Sequence, residues 1–416
     1  MDNPTIEKAP NPARSLSHSL VLLMSVCTGL SAASLYYAQP LLDSIRRAFH
    51  TSTGTAGLVV SITQIGYITG LVLLVPLGDM IVRRVLLPTM VAGLALFLVL
   101  VSTSPSVGLL LAGSFIVGAL SVAAQITVAL AASLASDAER GRIVGTVMSG
   151  LLLGILLART ASGYLAQLGG WRTPFRVAAV VMAVLAVVLW RTLPREGRRP
   201  AVRYARVLAS VPSLLRDEPV ILLRSAYGAS AFGAFNALWT PLAFMLSSSP
   251  YHYSTSTIGL FGLLGVAGAL AASFAGRIAD RGHANLMTVL TAATMLASWL
   301  PIAFGHRSLA SLIVGIVVLD FAVQGLHITN QSIIYGVRPE ARSRITSAYM
   351  SCYFVGGVIG SVGASAAYSA AGWTGSAAVG AAFGVVALGL WAGHAGLRRR
   401  PGPARTPRRP TDTVAA

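Results

Sequence analysis

Residues 142–171 read RIVGTVMSGLLLGILLARTASGYLAQLGGW, and residues 344–373 read RITSAYMSCYFVGGVIGSVGASAAYSAAGW. The two stretches share an Arg-Ile pair, a methionine, a glycine and a closing Gly-Trp pair at one offset: Arg142-Ile143, Met148, Gly154 and Gly170-Trp171 against Arg344-Ile345, Met350, Gly356 and Gly372-Trp373. Arg140 and Arg342 match at the same offset. Chance matches between apolar sequences would not keep charged and tryptophan landmarks in register. The chain is therefore predicted to consist of two homologous halves.

The composition of the 416 residues is typical of a membrane protein. Hydrophobic residues make up 55% of the chain and charged residues 11%, and the mean hydropathy is +0.72. Soluble domains carry about 25% charged residues, which supply their polar coat. A bilayer instead solvates an apolar exterior, provided that backbone groups bond internally, as they do in helices. We therefore expect an all-α membrane protein.

Apolar segments of about 20 residues, the length that spans a bilayer, recur twelve times in two groups of six. They lie near 18–42, 56–78, 85–104, 107–135, 142–168 and 173–192, then near 221–246, 257–279, 285–304, 308–336, 345–370 and 374–397. The first exceeds the roughly 7–15 apolar residues of a signal peptide, so it is predicted to be a membrane helix. Five regions follow: an N-terminal tail (1–17), a six-helix half (18–192), a linker (193–220), a second half (221–397) and a basic tail expected to be disordered (398–416).

The positions of the basic residues along the chain explain the net charge of +18. With twelve spans, 25 of the 31 basic residues fall on the side of the termini and linker, counting the eight arginines from Arg191 to Arg224. Five fall on the opposite side, and Arg159 lies inside a span. Basic residues favour the cytoplasmic side, so both termini are predicted to be cytoplasmic in a bacterial inner membrane. We therefore expect the basic residues to lie at the lipid bilayer, and we do not expect the protein to bind nucleic acid.

A short charged motif lies between the second and third segments: Gly78-Asp79-Met80-Ile81-Val82-Arg83-Arg84. A weaker copy lies between the eighth and ninth: Gly276-Arg277-Ile278-Ala279-Asp280-Arg281-Gly282. Both resemble the cytoplasmic Gly-x-x-x-Asp-x-x-Gly-Arg-Arg signature of the major facilitator superfamily. Residues 37–42 and 75–79 resemble its twelve-helix bacterial efflux-type permeases for drugs and metabolites. The chain departs from these patterns at Val82, where a glycine is usual, and in lacking a Gly-Pro pair within 154–159.

The resemblance implies a monomer with two six-helix halves around a midplane cavity, which the first, fourth, seventh and tenth helices line. It also implies alternating access, in which the halves rock about that cavity. The charged loops would act as a latch that holds one conformation; their residues are Gly78, Asp79, Arg83 and Arg84, with Asp280 and Arg281 in the second copy. The alternative is that these charges serve loop solubility and topology alone.

Two charged residues lie deep in predicted spans. Arg159 lies about 25 Å along its helix from Arg142, and Asp320 about 18 Å from the start of the tenth. Such charges are costly in a membrane and usually face the protein interior or a water-filled cavity. We predict that Arg159 contacts substrate or a counter-charge; a structural pair or snorkelling is the alternative. Asp320 is predicted either to bind a coupling proton or to pair with Arg159.

The tenth helix also carries a polar stripe. Asp320, Gln324, His327 and Gln331 are spaced four, three and four apart, which places them on one helix face. Such a stripe lines a cavity or bonds a neighbouring helix, and a histidine can also exchange a proton near neutral pH. The resemblance adds Gln125 and Thr127 on the fourth helix and Asn236 and Trp239 on the seventh as cavity residues. Gln64 and Tyr67 face either this cavity or a partner helix.

These patterns predict a secondary transporter that exports a small organic solute against inward proton flow. An uptake symporter and an uncoupled facilitator of the same fold remain alternatives, and a membrane enzyme or receptor is a more distant one. Direct ATP drive is not expected, because the sequence has no phosphate-binding loop. No cofactor or metal is expected either, since the two cysteines, Cys27 and Cys352, lie in apolar segments of different halves.

Overall fold

The structure, a computed structural model, describes residues 17–136, 139–194, 204, 213–266, 284–337 and 342–399, without the side chains of 79, 342–343 and 395–399. These residues form helices and turns, and none of them forms a β-strand. In the first half the helices are α1 (His18–Ala33), α2 (Leu42–Ala48), α3 (Thr53–Leu73), α4 (Leu77–Met80), α5 (Arg83–Thr103), α6 (Val107–Leu120), α7 (Ala123–Leu134), α8 (Arg140–Gly169) and α9 (Thr173–Thr192). They continue as α10 (213–217), α11 (Pro219–Ser247), α12 (Thr255–Leu260), α13 (Ala284–Ala297), α14 (Trp299–Ala303), α15 (Leu309–Val337) and α16 (Arg342–Arg399).

The helices have the length and surface of membrane spans. Nine stretches of the described residues are long and apolar enough to cross a bilayer. The longest, Arg344–His394, is 51 residues and is broken at Ala371 and Gly372, so it provides two spans. Many large apolar side chains are exposed, such as Leu300 and Leu168, as expected where lipid is the solvent. Residues 267–283, which include the end of the eighth predicted segment, lie outside the described residues, and the count of twelve stays a prediction.

The first span differs from the continuous helix predicted near 18–42. Helix α1 ends at Ala33, a turn follows, and a short 3₁₀ helix, Gln39–Leu41, leads into α2. Pro40 explains the break, because proline has no N–H and its ring clashes with the carbonyl four residues earlier in an α-helix. The break places the side chain of Gln39 inside the bundle, where it is 2% exposed.

One basic residue of the charge count lies elsewhere than predicted. Arg224 belongs to α11, and it is buried rather than part of the linker. Its guanidinium donates to Thr288 at 2.7 Å, Asn285 at 3.3 Å and Asn330 at 3.5 Å, so these neighbours supply the contacts that water would otherwise make. Asp280, Arg281, the basic tail beyond 399 and most of the linker lie outside the described residues.

The two halves repeat the same backbone details. Gly170 and Gly372, 202 positions apart, both have positive φ, +82° and +62°, which glycine adopts without steric cost. Gly154 packs on the backbone of Gly29, and its counterpart Gly356 packs on the backbone of Ala229. A Cβ at either glycine would collide with that backbone. Each repeat therefore joins its fifth helix to its first by a close glycine contact.

The halves meet at the end of the bundle where α2 ends and α3 begins, here called the distal end. Helix α3 runs along the first part of α16, with Thr53 bonded to Ser369 and Ser61 bonded to Ser361 at 3.0 Å. Deeper in the bundle, the rings of Tyr67 and Phe354 lie 4.4 Å apart. Helix α8 packs against α12, where Gly163 contacts the backbone of Thr255. The halves are thus closed against each other from the distal end to mid-bundle.

Candidate functional site

Arg159 lies at the centre of the contact between the halves. Its side chain is buried, and its Nε donates to Oε1 of Gln39 at 2.6 Å. The guanidinium carbon lies 4.3 Å from the ring centre of Trp239, 4.7 Å from that of Tyr36 and 5.4 Å from that of Phe235. A cation over aromatic faces is stabilised by the ring quadrupole. Because Trp239 and Phe235 belong to the second half, Arg159 ties the two halves together.

Asp320 lies on the other side of Trp239. It is 3% exposed, and its Oδ1 accepts the indole N–H of Trp239 at 3.4 Å. Arg159 and Asp320 form no ion pair with each other; Arg159 contacts the indole face and Asp320 its N–H edge. The predicted alternative of a direct pair is therefore not what the structure shows. The site has a positive pole on the first half and a negative pole on the second, and both contact the same aromatic ring.

Among the residues that the structure describes, two buried donors at the positive pole have no hydrogen-bond partner. They are Nη2 of Arg159 and Nε2 of Gln39. Both residues line one cavity of about 10 Å³, together with Pro40, Trp239, Leu242, Ala243 and Ile258. A cavity of this size has room for about one water molecule. Since buried polar groups are normally satisfied, these two donors mark a place prepared for an acceptor.

A larger polar cavity of about 500 Å³ opens on the distal side of the site. Its lining comprises Pro40, Asp43, Ser44, Arg47, Ser247, His252, Tyr253, Ser254, Thr255 and Ile258. Pro40 and Ile258 line both this vestibule and the small cavity beside Arg159. Pro40 belongs to the first half and Ile258 to the second. Together the two side chains separate the buried site from the distal end.

The polar stripe on α15 divides into contacts with different neighbours. Asp320 reaches Trp239, whereas Nδ1 of His327 lies 2.9 Å from the hydroxyl of Tyr349. The His327 ring also lies 4.7 Å from that of Tyr353. Gln324 and Gln331 are half-buried, and the described residues give them no hydrogen-bond partner. The stripe therefore includes Asp320 at the site and His327 in a neighbouring aromatic cluster.

Four of the remaining cavity candidates form two hydrogen-bonded pairs. Nε2 of Gln64 donates to Oδ1 of Asn236 across the two halves at 2.6 Å. Gln125 donates to the hydroxyl of Tyr67 at 3.2 Å. Thr127 instead bonds its own helix at Ala123. Gln64 contacts Asn236 and Tyr67 contacts Phe354, both in the second half, and a role for either residue in a substrate cavity stays a prediction.

The predicted latch makes most of its described contacts inside the first half. Arg83 is buried, and it donates to the carbonyl of Gly78 at 3.0 Å, to Ser133 at 2.7 Å and to the carbonyl of Ala129 at 3.3 Å. These bonds fasten the loop to the end of α7. The side chain of Asp79 and the second copy at Asp280 and Arg281 lie outside the described residues, so a latch between the halves stays a prediction.

Sequence reasoning missed Gln39, Tyr36 and Phe235 as parts of the site. Tyr36 and Gln39 follow α1 within the first predicted span, and Phe235 lies in the seventh, α11; the family resemblance assigns both spans to the cavity. The signal for Gln39 was an amide beside a proline within an apolar span, where the helix must break. Tyr36 and Phe235 had no distinguishing signal, because aromatic residues are common in membrane helices.

Two helical repeats that enclose a buried charged site define a membrane transporter. The chain matches the family model of the Major Facilitator Superfamily over residues 24–335 and 252–415. It is 48% identical to the uncharacterized transporter YgaY of Escherichia coli O157:H7 over 91% of this chain and 96% of that protein. It is 31% identical to the transporter SCO4007 of Streptomyces coelicolor, over 89% and 86%. The protein belongs to the major facilitator superfamily.

A solved structure supports the fold. A bacterial homologue of the human lysosomal transporter Spinster, in an inward-facing and occupied conformation, aligns with a TM-score of 0.75 at 14% identity and covers 95% of this chain and 100% of its own. Transporters of this family are not enzymes and typically need no cofactor. The described residues contain no group of three or more His, Cys, Asp or Glu placed to bind a metal.

Proposed function

We propose that the protein exports a small organic solute across the bacterial inner membrane in exchange for protons. The observation that carries the proposal is Asp320, a buried carboxylate that forms no ion pair with any described residue and contacts Trp239 beside Arg159. A carboxylate in such a place can bind and release a proton as its exposure to water changes. The working unit is a monomer, and the substrate and proton share the site around Trp239.

Alternating access supplies the change in exposure. Separation of the halves at the distal end breaks the contacts of Arg159 with Trp239 and Phe235, because these residues lie on opposite halves. It also parts Pro40 from Ile258 and joins the buried site to the vestibule. The predicted loop residues Asp79, Arg83 and Arg84 act at the other end, where the halves close in turn.

Orientation and direction rest on the sequence. The excess of basic residues at the end that carries the termini supports a cytoplasmic location for that end. The distal end then faces the periplasm. Export, rather than uptake, rests on the resemblance of residues 37–42 and 75–79 to efflux-type permeases.

Everted membrane vesicles with an acidic interior test the proposal. A pH-sensitive dye follows the gradient while a panel of drugs, nucleosides, sugars and amino acids is added to vesicles of wild type, Asp320→Asn and Glu139→Gln. Glu139 is the control carboxylate, since it pairs with Arg142 and lies outside both the site and the vestibule. We expect a solute to dissipate the gradient with wild type and Glu139→Gln but not with Asp320→Asn.

Two outcomes contradict the proposal in distinct ways. Flux of a radiolabelled solute without proton movement makes the protein an uncoupled facilitator. Proton movement in the same direction as the solute makes it a symporter.

A further inference from the structure

We propose that the substrate is a zwitterion, a solute that carries both an oxyanion and an ammonium group, held between Arg159 and Asp320. The inference rests on the proposed function, since it assigns the substrate class of the same site. Its basis is the arrangement of two opposite charges around one indole ring: Arg159 contacts the face of Trp239, Asp320 accepts its N–H, and the two charges form no ion pair with each other.

The positive pole is built to receive an oxyanion. Nη2 of Arg159 and Nε2 of Gln39 are buried donors without partners, and both residues line the same cavity. The bond from Arg159 Nε to Gln39 Oε1 fixes the amide so that its NH₂ group, and not its oxygen, remains to donate. Guanidinium and amide donors together suit a carboxylate, which accepts two hydrogen bonds.

The negative pole is built to receive a cation. Asp320 accepts one long hydrogen bond from Trp239, and its Oδ2 faces Gly265, where a Cβ would lie 3.6 Å away. A glycine at this position leaves room for a ligand group beside the carboxylate. The faces of Trp239 and Phe235 lie nearby and can stabilise an ammonium group when Arg159 withdraws.

A zwitterion also satisfies the charge balance that proton exchange requires. Its ammonium group and a proton compete for Asp320, so the site carries one or the other but not both. A simple anion on Arg159 would instead favour simultaneous proton binding at Asp320 by charge attraction, which produces symport. A simple cation would leave the donors of Arg159 and Gln39 unused.

In this closed state the cavity beside Arg159, of about 10 Å³, admits about one water molecule. In this state the guanidinium of Arg159 covers the rings of Phe235 and Trp239. Separation of the halves withdraws Arg159 from those rings and makes room for the substrate.

The test uses matched ligands on the purified wild-type protein. Each of the common amino acids is compared with its methyl ester, which has no carboxylate, and with its N-acetyl derivative, which has no ammonium group. Binding is measured as thermal stabilisation in detergent. We expect at least one amino acid to bind, and both of its blocked forms to bind about 10-fold more weakly or worse, as for loss of one charged hydrogen bond.

Variants then assign each charge to its pole. Arg159→Gln should abolish the preference for the amino acid over its ester, and Asp320→Asn should abolish the preference over the N-acetyl form. Arg159→Lys, which retains a positive charge, should keep the first preference in part. The comparison of each amino acid with its ester and N-acetyl form on the wild-type protein tests the inference even if a variant fails to fold.

Three outcomes overturn the inference. They are no stabilisation by any amino acid, equal stabilisation by an amino acid and its ester, and equal stabilisation by an amino acid and its N-acetyl form. Proton exchange with esters alone would retain the proposed coupling and refute the substrate class. Exchange of labelled for unlabelled amino acid without proton movement would retain the substrate class and refute the coupling.

Discussion

Arg159 and Asp320 approach the indole of Trp239 from different sides and form no ion pair with each other. The guanidinium lies over the ring at 4.3 Å, and the carboxylate accepts the ring N–H at 3.4 Å. A direct buried pair would be a static feature, since breaking one is strongly unfavourable. Separate contacts with one ring instead leave each charge able to exchange partners, which suits a site that must load and unload.

Substitution of Trp239 should separate its two contacts. Trp239→Phe retains an aromatic face for Arg159 but removes the N–H bonded to Asp320, at a cost of about 1–2 kcal/mol in stability. Trp239→Ala also removes the face and should cost about 3–5 kcal/mol and abolish transport. Thermal unfolding in detergent and vesicle transport measure both effects.

Trp299→Phe is the matched control for Trp239→Phe. Trp299 is equally buried in the second half, but its Nε1 has no hydrogen-bond partner. The control should therefore transport like wild type. If Trp239→Phe and Trp299→Phe behave alike, the bond to Asp320 has no role.

A larger side chain at Gly163 should hold the distal end open. A Cβ there would collide with the carbonyl oxygen of Thr255 in the other half. The reporter is Ile258→Cys in a chain whose Cys27 and Cys352 are replaced by alanine. We expect Gly163→Leu to raise labelling by an impermeant thiol reagent about 10-fold, as the open population grows.

Gly145→Leu provides the control on the same helix, because nothing lies within 4 Å of a Cβ at that position. Its labelling should equal that of the parent. Unchanged labelling in Gly163→Leu would show that the close contact between α8 and α12 does not control distal closure.

Arg83 should matter for stability more than its neighbour Arg84. Arg83 is buried and bonds Gly78, Ala129 and Ser133, and loss of bonds from a charged donor costs about 1.5–3 kcal/mol. Arg84 is less buried than Arg83. Thermal unfolding of Arg83→Ala and Arg84→Ala compares them, and equal midpoints would contradict the contacts described here.

The sequence predicted the helical membrane fold because apolar length and an internal repeat are local signals. The paired positive φ of Gly170 and Gly372 agrees with that repeat. The site was predicted in part: Arg159 and Asp320 stood out as charges in apolar spans. The shared contact of Arg159 and Asp320 with one ring could not be predicted from residue spacing, because that ring belongs to Trp239 on a third helix. Gln39 reaches the site through the helix break at Pro40, whose geometry no periodicity reveals.

Proton release on substrate binding tests the central claim most directly. Purified protein in weakly buffered detergent solution receives an amino acid that stabilises it, and a pH indicator records protons released per ligand bound. If substrate and proton compete for Asp320, wild type and Glu139→Gln should release up to about one proton per ligand below the pH at which Asp320 loses its proton, and Asp320→Asn none. Equal release from Asp320→Asn, or ligand binding by wild type without release at any pH, would contradict the account.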